Sequence, residues 1–312
     1  MTVPLRPPRI LWLIGLFCSV AGAFLHAETV TLFPVADATL IELWPSNSMG
    51  TGNWISSGTT QNGTSNRALI QFDVAAAVPA GATVTDVGLY VWVTRTPVDG
   101  NTDSVFSLRR MLRAWGEGAN PTPSTSPGFG LPALAGDATW SHSFWNTNGW
   151  TAPGGLEGTD YSDAISSSAG IAGVSSEPYF FESGGALGDV QFWLDHPESN
   201  FGWMLKTEDE LSRFTARRFG SRELQDPAGS PQLVITYLPP VRIHTIHAAS
   251  NQVTLSFNAD IGYSYAVEVR AGFSETNLWT LLTNLGLAFT SGPRTAIDLQ
   301  TNTQRFYRLR RD

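Results

Sequence analysis

Hydrophobic and polar residues alternate over short stretches of this chain, a pattern typical of β-strands with one buried face. The longest such stretch is 83–95, and 67–74 and 104–112 show the same alternation. The apolar positions of the first stretch are Val84, Val87, Leu89, Val91 and Val93. The sequence therefore predicts an all-β fold made of many short strands packed as a sandwich.

Only one segment follows the helical period. Leu187, Val190, Trp193 and Leu194 form a stripe with a spacing of 3.6 residues, which predicts one short helix over 187–194. Two segments rich in Gly, Pro and Ser, 119–130 and 151–176, follow neither period. They are predicted to be surface loops.

A change of composition at Pro239-Pro240 predicts a domain boundary. Residues 28–240 carry 10 basic and 22 acidic side chains, whereas residues 241–312 carry 7 basic and 5 acidic ones. Six further strand patterns follow the boundary, at 241–247, 252–258, 263–270, 279–282, 295–299 and 305–310. The chain is therefore divided into a first domain at 28–238 and a second at 241–312.

The N-terminal 27 residues have the pattern of a signal peptide. Arg6 and Arg9 precede an apolar run at 10–24, which is shorter than a usual membrane span, and a cleavage site is predicted before Glu28. We expect a secreted protein, extracellular or at the cell surface, with no membrane span after removal of the signal. An uncleaved membrane anchor is the alternative. Cys18, the only cysteine, lies within the run, so the mature chain is predicted to have no disulfide.

Composition narrows the range of partners. The formal net charge is −8, which argues against nucleic acid as a partner. Charged residues make up 15% of the chain, and of the 19 basic residues only Lys206 is a lysine. Eleven tryptophans are present, and indole rings stack on the apolar faces of sugar rings.

Several sequence blocks resemble the DNRLRE domain. They include 35–39, 67–73, 78–85, 138–140, 150–155, 189–195 with 200–205, 217–223 and 231–237, and together they cover roughly residues 29–238. The most distinctive block reads Arg217-Arg218-Phe219-Gly220-Ser221-Arg222-Glu223. The resemblance implies a secreted β jelly roll related to modules that bind acidic polysaccharides such as alginate.

The C-terminal residues carry a second resemblance. The ending Arg305-Phe306-Tyr307-Arg308-Leu309-Arg310 is similar to the last strand of small sandwich domains found at the C-terminus of secreted bacterial proteins. This resemblance implies a smaller fibronectin-type-III-like or immunoglobulin-like sandwich at 241–312, with a role in spacing, anchoring or sorting.

Motifs for catalysis are lacking in the sequence. There is no G-x-S-x-G motif and no cysteine after the signal peptide, and Ser221-Arg222-Glu223-Leu224 resembles an alginate-lyase strand only loosely, with its residues in the wrong order. Arg222 and Glu223 are instead predicted to form an ion pair before the last strand. The leading prediction is a non-catalytic carbohydrate-binding protein whose partner is an extracellular polysaccharide. The alternatives are a structural or adhesive surface protein and a lyase or hydrolase of an unrecognised type.

The predicted sugar-binding residues are aromatic and basic. Five tryptophans lie in loop-like segments, among them Trp44, and three are chosen as ligand contacts together with three arginines that can pair with uronic acids. The chosen residues are Trp54, Trp145, Trp150, Arg109, Arg113 and Arg217. The alternative is that the tryptophans fold onto the edge of the sandwich and the arginines pair with carboxylates of the same domain.

No cofactor is predicted, with a structural calcium as the one exception that the sequence leaves open. Asp99, Asn101 and Asp103 place oxygen atoms at alternate positions, as a calcium loop does. Ser104 and Arg110 stand where an EF-hand has Gly and Glu, so the loop departs from that pattern. A hairpin turn that needs no metal is the alternative.

Overall fold

The computed structural model describes residues 27–120, 128–224, 226–249, 251–273, 278–299 and 304–311. The chain divides into two compact units, and the division falls between Pro240 and Val241. We call them the N-terminal and C-terminal units and describe each by itself. The predicted signal peptide, apart from Ala27, lies outside the described residues.

Strands dominate the N-terminal unit. In chain order its elements are β1 (Glu28–Leu32), β2 (Ala36–Ile41), β3 (Asn47–Ser48), β4 (Trp54–Thr59), β5 (Ser65–Gln71), α1 (Val74–Ala77), β6 (Thr83–Val91), β7 (Val93–Arg95), β8 (Ser104–Arg110), β9 (Leu131–Pro132), β10 (His142–Phe144), β11 (Asn148–Gly149), β12 (Ser167–Ile171), β13 (Tyr179–Glu182), α2 (Gly184–Asp195), β14 (Trp203–Thr207), β15 (Arg217–Gly220) and β16 (Gln232–Leu238). Short 3₁₀ turns occupy Pro197–Ser199 and Pro227–Gly229.

Two antiparallel sheets form the body of this unit. The small sheet has the order β1-β16-β6-β13. The large sheet has the order β12-β8-β14-β5-β4-β15-β7, and β2 pairs with β5 outside this path. Short ladders join β3 to β9 and β10 to β11. The predicted all-β fold class is confirmed.

The main core lies between these sheets and the helix α2. Trp193 of the helix and Trp203 of β14 are fully buried, with ring centroids 4.5 Å apart. The helix begins where Ser183 accepts a hydrogen bond from the amide of Ala186, the usual role of a serine N-cap. The indole N–H of Trp203 donates to Asp189 at 2.8 Å, which ties the helix to the large sheet. The predicted helix at 187–194 is thus present and extends over Gly184–Asp195.

The alternation over 83–95 predicted one long strand, but the structure has two, β6 and β7. The chain leaves the small sheet after Val91 and enters the large sheet at Val93, so Trp92 marks the passage from one sheet to the other. The alternation persists because both strands bury one face in the same core. Periodicity reports burial and does not show which sheet provides the neighbouring strand.

A long irregular segment covers part of the large sheet. We call residues 111–166 the covering segment; the structure describes all of it except 121–127. Its buried side chains pack in a second core against residues of β2, β5 and β14. Its members are Met111, Trp115, Ala138, Trp140, Trp150 and Tyr161, which face Ala38, Leu40, Leu69 and Met204. Met204 packs here while Trp203 and Leu205 pack in the main core, so this strand is buried on both faces.

Two further sequence predictions require correction. The stretch 151–176 is not a surface loop throughout, because Asp160 and Tyr161 are buried and β12 belongs to the large sheet. The strand predicted at 67–74 ends at Gln71, since the side chain of Asp73 accepts a hydrogen bond from Ala76 and caps the four-residue helix α1. The unit therefore contains a second helix that the sequence did not predict.

The described residues of the C-terminal unit form six strands, as the sequence predicted. They are β17 (Ile243–Ala249), β18 (Gln252–Ala259), β19 (Ser264–Arg270), β20 (Thr280–Leu287), β21 (Gly292–Leu299) and β22 (Phe306–Arg311). Two three-stranded antiparallel sheets result, with the orders β17-β18-β21 and β20-β19-β22. Their buried side chains include Leu255, Phe257, Tyr265 and Val267.

Candidate functional site

A groove lies at one end of the large sheet, where β4, β15 and β7 run side by side. Its cavity has a volume of about 390 Å³. Strand residues form one part of its lining, and loops around Trp44, Asn62, Pro97 and Phe129 form the rest. The described lining residues are Ile41, Leu43, Trp44, Trp54, Ser56, Thr60, Gln61, Asn62, Thr64, Asn66, Arg95, Thr96, Pro97, Val98, Gly128, Phe129, Ala216, Arg217 and Arg218.

Strand register brings two arginines together in this groove. Arg218 of β15 lies directly opposite Ser56 of β4 on one side and Arg95 of β7 on the other. Side chains at directly opposed positions on antiparallel strands are neighbours on one face of the sheet. The sheet therefore presents a row of one hydroxyl and two guanidinium groups.

An irregularity in strand pairing brings Arg95 into the row. Phe219 pairs with Val93, whereas Arg218 pairs with Arg95, so one extra residue of β7 lies between these two pairs. Such a bulge changes the face to which the following side chain points. Val93 and Phe219 are buried in the main core, while Arg95 is exposed in the groove beside Arg218.

Aromatic rings flank the arginine row. The guanidinium carbon of Arg218 lies 3.7 Å from the ring centroid of Trp54, whose indole is almost fully buried. Trp44 and Phe129 pack against each other with ring centroids 5.7 Å apart. Trp44 is 45% exposed and Phe129 46% exposed, so both rings offer apolar surface to a ligand in the groove.

Uncharged polar side chains complete the lining. Thr60, Gln61, Asn62 and Thr64 lie at or beside the turn that joins β4 to β5. Asn66 follows in β5 and donates a hydrogen bond to the hydroxyl of Ser56 at 3.2 Å. Amide and hydroxyl groups both donate and accept hydrogen bonds, as recognition of sugar hydroxyls requires.

The electrostatics of the groove favour an anion. Burial lowers the pKa of Arg218 to about 10, and the positive charge of Arg95 contributes to this decrease. Among the described residues, no carboxylate lies within ion-pair distance of Arg95. A carboxylate bound here would reduce the repulsion between the two guanidinium groups.

Three of the predicted sugar-binding residues are arginines that the fold uses internally. The guanidinium of Arg109 is buried and pairs with Glu208 at 2.9 Å and Glu157 at 3.4 Å. Arg113 pairs with the buried Asp160 at 2.9 Å. Arg217 is 1% exposed, and although it belongs to the lining, its guanidinium donates to backbone carbonyls. Those carbonyls belong to Thr102, Ile171, Ala172, Phe214, Thr215 and Ala216.

The three predicted tryptophans have different surroundings. Trp54 lines the groove beneath Arg218. Trp150 is buried in the second core, and its indole N–H donates to the carbonyl of Thr139 at 2.8 Å. Trp145 is partly buried and lies edge-to-face on His142, with ring centroids 4.8 Å apart. Of the six predicted residues, only Trp54 and Arg217 thus belong to the groove.

The groove residues that sequence reasoning missed had weak signals. Arg218 is half-buried beside the buried Arg217, and the sequence does not show that it lies opposite Arg95 across the sheet. Trp44 was recognised as a loop tryptophan and was not chosen. Arg95 depends on a bulge, which no periodic pattern reveals.

The predicted calcium loop at Asp99, Asn101 and Asp103 contains hydrogen bonds of its own. Its Asn101 side chain donates to the carbonyl of Ala172 at 2.9 Å and to Asp103 at 3.4 Å. Among the described residues, three acidic groups come together elsewhere, in Asp37, Glu117 and Glu223. These residues come from distant parts of the chain, so their spacing in the sequence gave no signal.

Comparison with known proteins adds no identification. No protein-family model matches the chain, and no curated protein matches it. The resemblance to the DNRLRE domain therefore stays a prediction. Within the part of the chain that the structure describes, no helix has both the length and the apolar character needed to cross a membrane.

Proposed function

We propose that the protein is exported and that its N-terminal unit binds an acidic extracellular polysaccharide in the groove at β4, β15 and β7. The observation that carries this proposal is the pairing of Arg95 with Arg218 on neighbouring strands, beside the half-exposed rings of Trp44 and Phe129. The predicted signal peptide and the sequence blocks at 29–238 add support from the sequence.

Each part of the groove matches a feature of a uronic acid chain. Guanidinium groups bind carboxylates through two parallel hydrogen bonds, and the weak hydration of arginine suits a partly enclosed site. The rings of Trp44 and Phe129 offer flat apolar surface to the C–H face of a sugar. Amides such as Gln61 and Asn62 are available for the remaining hydroxyls.

The lining favours binding over bond cleavage. Hydrolysis and elimination of glycosides need positioned groups that accept and donate protons. The described residues that line the groove include no Asp, Glu, His, Lys, Tyr or Cys. An arginine can hold a carboxylate but keeps its proton at neutral pH. We therefore assign the groove a non-catalytic role.

Electrophoresis through gels that contain a polysaccharide tests this proposal with the full mature chain. We expect alginate or polygalacturonate to retard the protein more than a neutral polysaccharide such as hydroxyethyl cellulose does. Alginate should retard the W44A variant less than the wild-type protein, because W44A removes one of the two exposed aromatic rings of the groove. Stacking of this kind contributes roughly 0.5–1.5 kcal/mol, which corresponds to about a two- to twelvefold loss of affinity.

The matched control is F180A. Phe180 is 51% exposed on β13 and stacks on Tyr90 rather than lining the groove. The F180A protein should be retarded as much as the wild-type protein. If none of the polysaccharides retards the wild-type chain, the binding proposal fails and a structural or adhesive role is favoured. Release of unsaturated or reducing ends from these polymers would instead show an enzyme.

A further inference from the structure

A cluster of three carboxylates joins distant parts of the N-terminal unit. Asp37 belongs to β2, Glu117 to the covering segment, and Glu223 to the turn before β16. Each offers an oxygen atom, and these oxygens lie within 4.8 Å of one another. Like charges this close repel strongly unless a positive charge lies between them.

Carboxylate oxygens of this cluster are buried without a hydrogen bond. Asp37 is completely buried, and its Oδ2 accepts a hydrogen bond from the amide of Arg222 at 2.7 Å. Its Oδ1 accepts none, and Oε2 of Glu223 is also buried without a hydrogen bond, whereas Oε1 of Glu223 lies 2.9 Å from Nε of Arg222. A buried acceptor without a partner destabilises the fold, and more so when it is charged. This cost indicates a ligand that the oxygens share.

Arg222 supplies only part of the missing positive charge. Its Nε lies 2.5 Å from Glu117 and 2.9 Å from Glu223, and its Nη2 donates to the second oxygen of Glu117 at 2.8 Å. The ion pair predicted between Arg222 and Glu223 is thus present. With all three carboxylates ionised, one guanidinium leaves an excess of two negative charges, and Oδ1 of Asp37 accepts no hydrogen bond from it. Burial raises the pKa of Asp37 well above its ordinary value, and the charges of Glu223 and Glu117 add to this rise.

We propose that Asp37, Glu117 and Glu223 bind a calcium ion, with Oδ1 of Asp37 as a central ligand. The ligand atoms are all oxygens, which selects a hard divalent cation over zinc or copper. Calcium accepts six to eight oxygens in an irregular arrangement, whereas magnesium requires a near-ideal octahedron and retains its waters. Asn53 has a buried Oδ1 without a partner, and the carbonyl of the preceding residue Gly52 accepts a hydrogen bond from Ser221, near Glu223.

Thermal unfolding of the full mature chain, stripped with a chelator, tests this site. We expect added CaCl₂ to raise the melting temperature of the N-terminal unit, and equal MgCl₂ to raise it much less. At a hundredfold excess of Ca²⁺ over its Kd the shift should be roughly 5–10 °C. Titration calorimetry of the stripped protein with CaCl₂ should give one ion per chain.

Two variants locate the ion. D37N and E223Q keep the size of each side chain but remove a negative charge, and each should reduce the calcium shift to a small fraction of its wild-type value. If D37N does not fold, E223Q alone carries this comparison. The control is the double variant D99N/D103N in the loop that the sequence favoured, which should keep the full shift because these residues lie outside the cluster.

Three results would overturn the proposal. The first is a stripped wild-type protein that neither binds Ca²⁺ in calorimetry nor gains stability from it. The second is a calcium shift that persists undiminished in E223Q, which would place the ion elsewhere. The third is a shift that D99N/D103N abolishes, which would assign the ion to the predicted loop.

Discussion

Single residues of the same type have opposite roles in this protein. Arg109 is buried and held by Glu208 and Glu157, whereas Arg95 is exposed in the groove with no carboxylate nearby among the described residues. Its residue type and its position on a strand predict Arg109 as a ligand contact. Burial distinguishes the two roles, and burial depends on the covering segment that supplies Glu157.

The first prediction concerns Arg109. The variant R109A should lower the stability of the N-terminal unit by about 3–5 kcal/mol, because it leaves a partly buried carboxylate without its partner. For a unit of this size that corresponds to a fall of roughly 6–20 °C in melting temperature. Binding to polysaccharide measured below the transition should be unchanged. If R109A is as stable as the wild type but no longer binds polysaccharide, Arg109 contacts the ligand as the sequence predicted.

Asp160 links stability to pH. Burial alone would raise the pKa of Asp160, but hydrogen bonds from Arg113, Leu156 and Thr151 outweigh it and hold the pKa below its ordinary value of 3.8. A carboxyl group whose pKa is lower in the folded state stabilises the fold above its ordinary pKa. That contribution is lost as the pH falls from this value through the lower, folded pKa.

The second prediction follows from the lowered pKa of Asp160. The variant D160N should melt at a lower temperature at pH 7, because its amide presents donors to the donors of Arg113 and the backbone. Charged hydrogen bonds of this kind contribute about 1.5–3 kcal/mol each. The melting temperature of D160N should also vary less with pH below about 4 than that of the wild type. Parallel curves in this acid range would contradict the role assigned to Asp160.

At the scale of elements, two backbone irregularities shape the groove. The bulge in β7 turns Arg95 toward Arg218, and Gly58 in β4 has a φ of +101°, in the region that favours glycine. A Cβ atom at Gly58 would lie 2.6 Å from the carbonyl oxygen of Thr215, just before β15. Close approach of these backbone segments therefore requires glycine at this position.

The third prediction tests this approach. G58A should destabilise the N-terminal unit by more than the roughly 1–3 kcal/mol expected from backbone strain alone, because backbone atoms block the added methyl group. G136A is a matched control, since Gly136 has a φ of +94° and open space around its Cβ position. Thermal melts of both variants should therefore rank G58A as the less stable. Equal losses would show that the contact between Gly58 and Thr215 is not tight.

The elements differ in how far the sequence predicts them. Six strands of the C-terminal unit and the helix α2 follow from periodicity, because each has one apolar face over a continuous segment. The passage from one sheet to the other at Trp92 does not, since both strands face one core. The four-residue helix α1 begins where Asp73 caps it, within a segment whose alternation predicted a strand. An alternating pattern of apolar residues does not reveal a helix cap.

At the scale of the whole molecule, the candidate sites follow from pairings between distant segments. Residue types predicted a site of arginines and tryptophans for acidic sugars, and the groove that we propose for this ligand contains two of the six predicted residues, Trp54 and Arg217. The other predicted arginines pair with carboxylates of the same unit, Arg109 with Glu208 and Glu157 and Arg113 with Asp160, and Trp150 is buried in the second core. The carboxylate cluster similarly combines β2, the covering segment and the final turn. Pairings of this kind are set by the topology and leave no spacing in the sequence.

Charge is distributed unevenly at this scale. Residues 28–240 carry an excess of acidic groups, yet Arg95 and Arg218 lie side by side and form a local basic site. The acidic polymer that we propose as ligand would therefore be recognised at short range, by direct contact with these guanidinium groups. At long range, the net negative charge of the unit would repel such a polymer. A single arginine in the groove should therefore matter far more than an arginine elsewhere.

The most direct measurement is calorimetric titration of a defined oligouronate into the wild-type chain, R95A and R242A. Arg242 is exposed in the C-terminal unit, so both variants remove one positive charge. We predict that R95A binds at least about tenfold more weakly than the wild type, since a charged hydrogen bond contributes roughly 1.5–3 kcal/mol. R242A should bind as the wild type does, and added salt should weaken the wild type more than R95A. Equal affinities and equal salt dependence for the wild type and R95A would contradict the proposed binding groove.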